Sequence, residues 1–420
     1  MKLQYKIDDK LPLSQLFIYA MQWFILAVAV ISTSVFVAQG SPAERLFFAQ
    51  KLFAVIGITG AIQVLWGHKM PLVVGPASVL LVGVLSSLGA GAPVGAIYTS
   101  IAIGGALIVL LSFGGMMSKV RKLFTPRIVV VILMLIAFTL APVIKNLIFR
   151  EGANVPAEEH TFGLIFTIVG CVGMVLLNRT LKGVAKSLVV PIALLVGSAI
   201  YYMLFPMPKA VESVGFLGGK IFNDFSFDWG LMIAFVICYI ALLINDIGSI
   251  ESLGVMLNAE DMGGRLKRGL RITGAMNIVA GSMGVLGPVN YSMSPGVIAS
   301  TGCASRWALL PATLLLVLCA LFPDVIFILT SIPNQVIGVI LLYLMGTQLA
   351  AGLEMAVSTG SIRSFSGALT IGLPIMVALL FQLMPRGIVP SVIEPLVGNG
   401  FAMGVITVLV MEHLINRTKE

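Results

Sequence analysis

Charged side chains are scarce in this chain of 420 residues. Aspartate, glutamate, lysine and arginine together make up 10% of it, whereas hydrophobic residues make up 58% and the mean hydropathy is +1.05. A soluble globular protein carries about 25% charged residues, so this composition excludes an ordinary soluble domain. The 26 basic residues lie in short loops between apolar runs and form no single basic patch. The formal charge of +8 therefore does not indicate a nucleic-acid partner.

Motifs for cofactors and metals are also missing. The three histidines, His68, His160 and His413, lie in loops or at the ends of apolar runs, without the spacing of metal ligands. The sequence has no phosphate-binding loop and no nucleophile elbow, so it predicts neither ATP-driven transport nor an enzyme. We therefore expect no metal and no cofactor. The four cysteines lie in or beside apolar runs, where free thiols pack as small hydrophobic groups.

Long apolar runs are what the chain has instead. A helix needs about 17–25 residues to cross a bilayer, and this criterion predicts fourteen full or partial spans. They lie near residues 15–39, 46–66, 72–88, 93–114, 126–148, 161–178, 185–205, 229–252, 268–285, 288–302, 306–323, 326–351, 364–384 and 396–415. The third and the tenth are short and broken. The sequence therefore predicts an all-α polytopic protein embedded in a lipid bilayer.

Basic residues in the loops predict the orientation of these spans. With a cytoplasmic N-terminus, 19 of the 26 lysines and arginines fall on the cytoplasmic side. This alternation over the whole chain satisfies the positive-inside rule. We therefore expect both termini in the cytoplasm and place the protein in a bacterial cytoplasmic (inner) membrane.

Two Gly-Pro interruptions divide the chain into similar halves. The segment Gly75-Pro76-Ala77-Ser78 lies in span three, and Gly287-Pro288-Val289-Asn290 lies 212 residues later in span ten. The starts of spans five and twelve, at Pro126 and Pro333, are also similar, at an offset of 207 residues. Seven spans per half make the second half begin on the opposite side, which predicts a 7+7 inverted repeat. The expected parts are a first repeat at 1–206, an extracytoplasmic connector at 207–228 and a second repeat at 229–420.

The two broken spans are the first candidates for a binding site, because paired interruptions in a transporter point to it. Ser294 and Pro295 have the character of an N-cap and a first helical residue. A half-helix that begins inside the membrane directs free N–H groups and a positive dipole at the cavity, where a carbonyl oxygen or an anion can bind. Ser78 is the counterpart in span three. Gln22 in span one is a further buried amide, either at the site or in a contact between helices.

Asp246 in span eight is the ionisable residue placed most clearly inside a span. A carboxylate in hydrocarbon costs about 3 kcal/mol or more and usually faces a cavity or a partner, which suits coupling to a proton or sodium ion. Asn245 lies beside it, and Ser249 lies one turn beyond Asn245. Glu251 is the rival for the coupling role, about 140° around the helix from Asp246, so both cannot face one small site. The alternatives are that Asp246 is a solvated helix end and that Glu251 lies at the cytoplasmic interface.

At these residues the chain resembles the nucleobase–ascorbate transporter family, the uracil and xanthine permeases. Gln22-Trp23 is similar to the family's Gln-His in span one, and Lys69-Met-Pro-Leu-Val-Val-Gly-Pro-Ala-Ser78 to its Lys-Val-Pro-x-x-x-Gly-Ser-Ser segment. Arg268 through Gly274 fits the start of span nine, and Ile332-Pro333 through Gly338 fits the Ile-Pro-x-x-x-x-Gly that opens span twelve. The resemblance covers nearly the whole chain.

Two positions depart from the family pattern. The family's Glu-x-x-Gly in span eight aligns with Asn245-Asp-Ile-Gly248, so an amide stands where the family has the acid, and the acid follows one residue later. The family's span-ten motif, Gln-Asn-x-Gly-x-x-x-x-Thr, aligns with Met293 through Thr301. Methionine therefore stands where the family has a side chain that would hydrogen-bond a base.

The resemblance implies a core domain of spans 1–4 and 8–11 that moves against a gate domain of spans 5–7 and 12–14, as in an elevator mechanism, often within a homodimer. It implies a substrate between the two half-helices. The residues expected at the substrate site are Asn245, Asp246, Ser249, Ser294, Met293, Ser78 and Gln22, and Asp246 or Glu251 is expected to couple the cation.

The expected function is secondary active symport of a nucleobase-like substrate of the uracil or xanthine type, driven by protons or sodium ions. The main alternative is a carrier of sulfate, bicarbonate or carboxylate anions on the same fold. The half-helix N-terminus favours that alternative, whereas the charge of Asp246 opposes it. A channel or a non-transporting scaffold is a third possibility, against which the polar residues of both broken spans argue.

Overall fold

Helices make up nearly all of the regular structure. A computed structural model describes residues 3–35, 37–89, 91–113, 125–149, 157–181, 189–206, 219–291, 294–385, 387–390, 397–398 and 400–416. The helices of the first half are α1 (Leu13–Val35), α2 (Pro42–Leu65), α3 (Ser78–Gly89), α4 (Val94–Ser112), α5 (Pro126–Thr139), α6 (Ala141–Phe149), α7 (Ala157–Thr180) and α8 (Val189–Leu204). The second half has α9 (Trp229–Leu257), α10 (Met262–Ser282), α11 (Ser294–Thr301), α12 (Leu310–Ala320), α13 (Pro323–Thr330), α14 (Asn334–Ser358), α15 (Phe365–Gln382) and α16 (Gly400–Val410).

Four short elements complete the regular structure of the described residues. Strand β1 (Val74–Pro76) precedes α3, and strand β2 (Pro288–Asn290) precedes α11. A 3₁₀ turn, Arg306–Ala308, leads into α12, and α16 continues as the π-helix Met411–Ile415.

Local sequence signals set several helix ends. Ser41 and Glu44 form a capping box at the start of α2, with Pro42 at the first helical position. Asp228 caps α9 by accepting a hydrogen bond from the backbone of Leu231. Asn258 ends the same helix in the left-handed conformation, with φ 49°. These caps satisfy N–H groups of the first turn and C=O groups of the last turn, which a helix leaves unpaired.

The predicted all-helical fold of fourteen spans is confirmed, and the largest shift of a boundary concerns span twelve. In the described part, eight helical segments, one of them α5 and α6 together, are long and apolar enough to cross a bilayer. Helices α5 and α6 share one span, and each broken span is a strand followed by a half-helix. The predicted boundaries 326–351 for span twelve are wrong, because α13 ends at Thr330 and α14 starts at Asn334. Pro333, the N-cap of α14, causes this break, since proline cannot continue a preceding helix.

The two strands carry the symmetry of the inverted repeat. They pair antiparallel, with Val74 opposite Asn290, Gly75 opposite Val289 and Pro76 opposite Pro288. Pro76 and Pro288 are the two prolines of the repeated Gly-Pro, so equivalent residues face each other as a two-fold relation requires. The helix packing follows the same relation. Helix α4 packs on α10, and their equivalents α12 and α2 pack on each other.

Glycines allow these two helix pairs to approach closely. A Cβ on Gly105 of α4 would lie 2.7 Å from the carbonyl oxygen of Gly274 of α10. A Cβ on Gly57 of α2 would lie 2.8 Å from the carbonyl oxygen of Thr313 of α12. Small residues at such contacts are the usual means by which helices associate in a membrane.

The helices form two groups that meet along a limited boundary. Helices α2, α3, α4, α10, α11 and α12 pack around the strands, together with α1 and α9, whereas α5, α6, α7, α8, α14, α15 and α16 pack among themselves. The contacts between the groups run mainly through α1 and α9. These two helices are equivalent in the repeat.

The N-terminal segment marks one face of the molecule, here named the N-terminal face. The backbone N–H of Gln4 donates to the carbonyl of Gly302 at 2.8 Å, and Arg306 Nε lies 2.7 Å from Asp8 Oδ1. Arg265 donates to the carbonyl of His68 at 2.8 Å. The loop after α2, the turn between α9 and α10 and the segment after α11 therefore lie on this face.

Candidate functional site

The two broken spans cross beside each other and are tied by side chains. Ser294 Oγ accepts from the backbone N–H of Val73 at 2.9 Å and donates to the carbonyl of Tyr291 at 3.2 Å. Tyr291 Oη donates to the carbonyl of Pro76 at 2.6 Å. The hydroxyls therefore satisfy backbone groups that a two-stranded sheet leaves open, as irregular backbone inside a membrane protein requires.

A cavity of about 280 Å³ lies between the two groups of helices. Helix α9 and the first turn of α11 form one wall, and α5 and α14 form the other. Its lining residues are Val129, Ile132, Leu133, Ile244, Asn245, Gly248, Ser252, Pro295, Leu344, Thr347, Gln348, Ala351 and Met355. We name this space the central cavity. Its volume is just below the usual 300–1,000 Å³ range of ligand pockets and suits a small molecule.

The polar groups of the central cavity are amides and hydroxyls. Asn245 and Ser252 come from α9, and Thr347 and Gln348 come from α14. Gln348 Nε2 also donates to the carbonyl of Leu133 at 3.1 Å. No aspartate or glutamate is among the described lining residues. Ser252 is exposed and lies near the carboxyl end of α9, whose following turn is on the N-terminal face, so the cavity opens towards that face.

Asp246 lies on the opposite side of α9 from the central cavity. The lining residues of α9 fall within an arc of about 100° around the helix axis; they are Ile244, Asn245, Gly248 and Ser252. Asp246 lies about 100° beyond Asn245, outside this arc. Its side chain is fully buried, and Oδ1 accepts from the Asn290 backbone N–H at 3.0 Å and from Asn290 Nδ2 at 2.7 Å. Its other oxygen, Oδ2, is buried and has no hydrogen-bond partner at normal distance among the described residues.

Asn290 extends this contact to His68, which sequence reasoning missed. Asn290 Oδ1 lies 3.0 Å from His68 Nε2, and His68 Nδ1 accepts from the backbone N–H of Met70 at 3.0 Å. His68 therefore carries its proton on Nε2. Burial lowers the pKa of His68 to about 4, with a further lowering by the charge of Arg265, against the raising effect of the Asn290 hydrogen bond. The sequence placed this histidine in a loop, and only the fold shows that the loop is enclosed.

The other expected site residues lie in separate environments. Ser78 and Tyr291 line a small second cavity between α1, α3, α6 and α14. Ser249 is buried and donates to the carbonyl of Asn245 at 2.8 Å. Gln22 is buried in α1, and its Oε1 has no hydrogen-bond partner among the described residues. Glu251 is partly exposed.

Among the expected residues that the structure describes, only Asn245 lines the central cavity. Met293 lies outside the described residues. Thr347 and Gln348 were not expected, although Gln348 carries the signal that singled out Gln22, an amide within an apolar span. The roles of the expected residues in substrate binding stay predictions. In the described part, no group of three or more histidine, cysteine, aspartate or glutamate residues is arranged to hold a metal ion.

Comparison with known proteins now identifies the family. The profile Xan_ur_permease, described as "Permease family", matches residues 14–387. The chain belongs to this permease family. Its resemblance to the uracil and xanthine permeases is thereby confirmed, and it is an integral membrane transporter, not an enzyme.

Named relatives of this permease cover most of its length. It is 25% identical over 393 residues to the "Xanthine permease" of Bacillus subtilis (strain 168), covering 90% of this chain and 88% of that protein. It is 24% identical over 454 residues to the "Xanthine permease XanP" of Escherichia coli (strain K12), covering 100% and 96%. With the "Uric acid permease PucJ" of Bacillus subtilis (strain 168) it shares 25% identity over 355 residues, covering 82% and 78%.

Solved structures support the fold of this permease. The transmembrane domain of the cyanobacterium bicarbonate transporter BicA matches with a TM-score of 0.59 and 13% identity, over 95% of this chain and 100% of that one. Murine Slc26a9, an anion transporter in the inward-facing state, matches with a TM-score of 0.63 and 13% identity, over 99% and 70%. At such identity the likeness concerns the fold alone, which is the 7+7 inverted repeat.

Proposed function

We propose that this protein is a secondary active symporter of a nucleobase-like substrate of the xanthine or uracil type. The observation that carries the proposal is the central cavity, which places Asn245 and Gln348 on opposite walls. Amides supply both donors and acceptors, and these match the carbonyl and N–H groups at the edge of a base. The relatives named as xanthine and uric acid permeases support the same substrate class.

The position of the central cavity supports an elevator mechanism. One wall comes from α9 and α11 and the other from α5 and α14, so the cavity lies on the boundary between the two helix groups. We assign α1–α4 and α9–α12 to a core domain and α5–α8 and α14–α16 to a gate domain. A movement of the core past the gate would carry a substrate held by α9 and α11 across the membrane.

Coupling to a cation is assigned to Asp246, acting through β2. A fully buried carboxyl is costly when it is charged, so it favours a proton or a paired cation. The side chain of Thr273 of α10 also lies beside this carboxyl. Asp246 also holds Asn290, the last residue of β2, and Asn245 beside it lines the cavity. A proton or sodium ion at Asp246 would therefore favour the geometry that binds substrate, which is how two ligands are coupled.

An anion carrier is the second candidate function. The first turn of α11 reaches the central cavity at Pro295, and no described carboxylate lines this cavity. A helix N-terminus attracts anions.

Uptake into proteoliposomes separates the two functions. Labelled xanthine, uracil, sulfate and bicarbonate are offered in parallel under an inward proton or sodium gradient. We expect saturable uptake of a base, competed by other bases and lost in Asn245→Ala. Uptake of sulfate or bicarbonate without competition by bases would instead establish the anion carrier.

The orientation remains a proposal with its own test. The N-terminal face is proposed to be cytoplasmic, in a bacterial inner membrane, with both termini on that side. Asp224 and Glu260 are exposed and belong to opposite faces. In intact cells, an impermeant maleimide should label Asp224→Cys but not Glu260→Cys, with the unmodified protein as the background control. Labelling of Glu260→Cys would show that the N-terminal face lies outside the cytoplasm.

A further inference from the structure

A second sizeable cavity lies at the opposite face from the opening of the central cavity. Its volume is about 270 Å³. It is lined by Gln39, Glu44, Phe47, Phe48, Lys51, Leu88, Val94, Tyr98, Gly219, Lys220, Phe222, Asn223, Asp224, Met283 and Gly284. We name it the outer cavity.

The outer cavity is separate from the proposed transport path. Its walls are the first turns of α2 and α4, the end of α3, the segment 219–224 and the residues that follow α10. Of its described lining residues, none belongs to α5–α8 or α14–α16, and none is shared with the central cavity. A ligand bound here would contact the core group only, so it would not lie between the two moving parts.

Lys51 gives the outer cavity a buried positive charge. Its residue is 8% exposed, and Nζ donates to the carbonyl of Met283 at 2.5 Å. The same ammonium lies 5.1 Å from the centre of the Phe47 ring. Among the described residues no carboxylate lies within 4 Å of it.

The two acidic residues of the outer cavity are already engaged elsewhere. Glu44 Oε2 accepts from the backbone N–H of Ser41 at 2.7 Å and from Ser41 Oγ at 2.9 Å. Asp224 pairs with Lys220 at the exposed rim. Lys51 therefore has a carbonyl and a ring as partners but no described carboxylate, so an incoming anion can pair with its charge, and such a pair is favourable for a buried ammonium.

Aromatic rings and an anchored segment shape the rest of the space. Phe47, Phe48, Tyr98 and Phe222 line it, and the Phe48 and Tyr98 rings lie 6.5 Å apart. Asn223 fixes the segment 219–224, since its backbone N–H donates to the carbonyl of Ser282 at 2.7 Å and its Nδ2 donates to that of Gly95 at 3.0 Å. The walls therefore exist before a ligand arrives, which lowers the entropy cost of binding.

From these observations we infer that the outer cavity is a binding site for a small planar aromatic anion. The ring of the ligand packs against the aromatic side chains that line the cavity, and its anionic group pairs with the Lys51 ammonium. Both an aromatic carboxylate and a deprotonated heterocycle have this chemistry. This site is distinct from the proposed substrate site in the central cavity, and the inference does not rest on the proposed function.

Equilibrium dialysis of labelled benzoate against the purified full-length protein in detergent tests this inference. We expect saturable binding that falls at least about tenfold in Lys51→Met, because a charge-assisted hydrogen bond is lost. Lys267→Met is the matched control, since it removes the same charge at an exposed position of α10 that lines neither cavity, and it should bind within about threefold of the unmodified protein. Unlabelled urate, as the deprotonated heterocycle, should displace benzoate.

Two further variants keep the test decisive. If Lys51→Met does not fold, Phe222→Ala, at an exposed wall position, should weaken benzoate binding several-fold. Asn245→Ala, in the central cavity, should leave benzoate binding unchanged. The inference is overturned if the unmodified protein does not bind benzoate, in which case Lys51 only caps the end of α10. It is equally overturned if Phe222→Ala binds normally or if Asn245→Ala abolishes binding.

Discussion

Replacing Asp246 by asparagine should uncouple transport while leaving the protein folded. The side chain keeps its shape, and its oxygen can still accept both hydrogen bonds from Asn290. In this variant the two hydrogen bonds to a charged oxygen become hydrogen bonds to a neutral oxygen. Each change lowers the free energy of unfolding by about 1 kcal/mol. The new amide N–H group stands where Oδ2 has no partner among the described residues, which costs about 1–3 kcal/mol more.

Removing the buried charge offsets part of this loss. Desolvation of a carboxylate costs several kcal/mol, so the net destabilisation of Asp246→Asn should be about 2 kcal/mol or less. Asp246→Ala is different, because it leaves two buried donors of Asn290 without an acceptor. Each unpaired donor costs about 1–3 kcal/mol, and the alanine variant should therefore lose about 2–6 kcal/mol. Thermal unfolding in detergent should rank the alanine variant well below the asparagine variant.

Proteoliposomes measure the uncoupling itself. Asp246→Asn should fail to accumulate labelled base under a proton or sodium gradient, yet it should still exchange internal for external base when no gradient is applied. Glu251→Gln is the matched control, since it makes the same chemical change one and a half turns along α9, and it should accumulate base normally. Gradient-driven accumulation at the unmodified rate by Asp246→Asn would refute the assignment, and loss of accumulation in Glu251→Gln would move the role to Glu251.

The remaining predictions concern binding, packing and pH. Asn245→Ala should weaken the binding of a base about tenfold without a fall in the unfolding temperature; unchanged affinity would remove Asn245 from the site. Gly105→Ala should cost about 1–3 kcal/mol, because the new Cβ would lie 2.7 Å from a carbonyl oxygen. Gly173→Ala should not destabilise the protein, because no atom lies within 4 Å of its new Cβ. Equal unfolding temperatures for Gly105→Ala and Gly173→Ala would contradict the close helix packing at Gly105. The unfolded chain takes up a proton at His68 near pH 6.5 and the folded chain only near pH 4, so stability should fall by up to about 3 kcal/mol as the pH drops through this window. His68→Gln should flatten that pH dependence, and an unchanged slope would contradict the burial argument.

The sequence was sufficient for the architecture, because the bilayer leaves few alternatives. The length of the apolar runs predicted the spans. The distribution of basic residues in the loops and the two Gly-Pro segments predicted the inverted repeat. The repeated prolines even face each other in the strand pair, Pro76 opposite Pro288. Span twelve was misplaced because α13 is itself apolar, so hydropathy alone did not separate it from α14.

The candidate site was less predictable, because side-chain direction depends on packing between distant segments. Asn245 and Asp246 are adjacent in the sequence, and both were expected at the substrate. The helix turns one towards the central cavity and the other towards β2. Gln348 lies about one hundred residues from Asn245, and no local pattern brings α14 to face α9. His68 was set aside as a loop residue, since burial of a loop by other segments leaves no mark in its own sequence.

Transport of labelled xanthine by the purified protein in liposomes tests the central claim most directly. The measurement compares the unmodified protein with Asn245→Ala and with Lys220→Met, whose side chain is remote from the central cavity. We predict saturable, gradient-dependent uptake by the unmodified protein and by Lys220→Met, and its loss in Asn245→Ala. Equal uptake by all three proteins would contradict a substrate site in the central cavity. Uptake of sulfate or bicarbonate, with no uptake of any base, would contradict nucleobase transport itself.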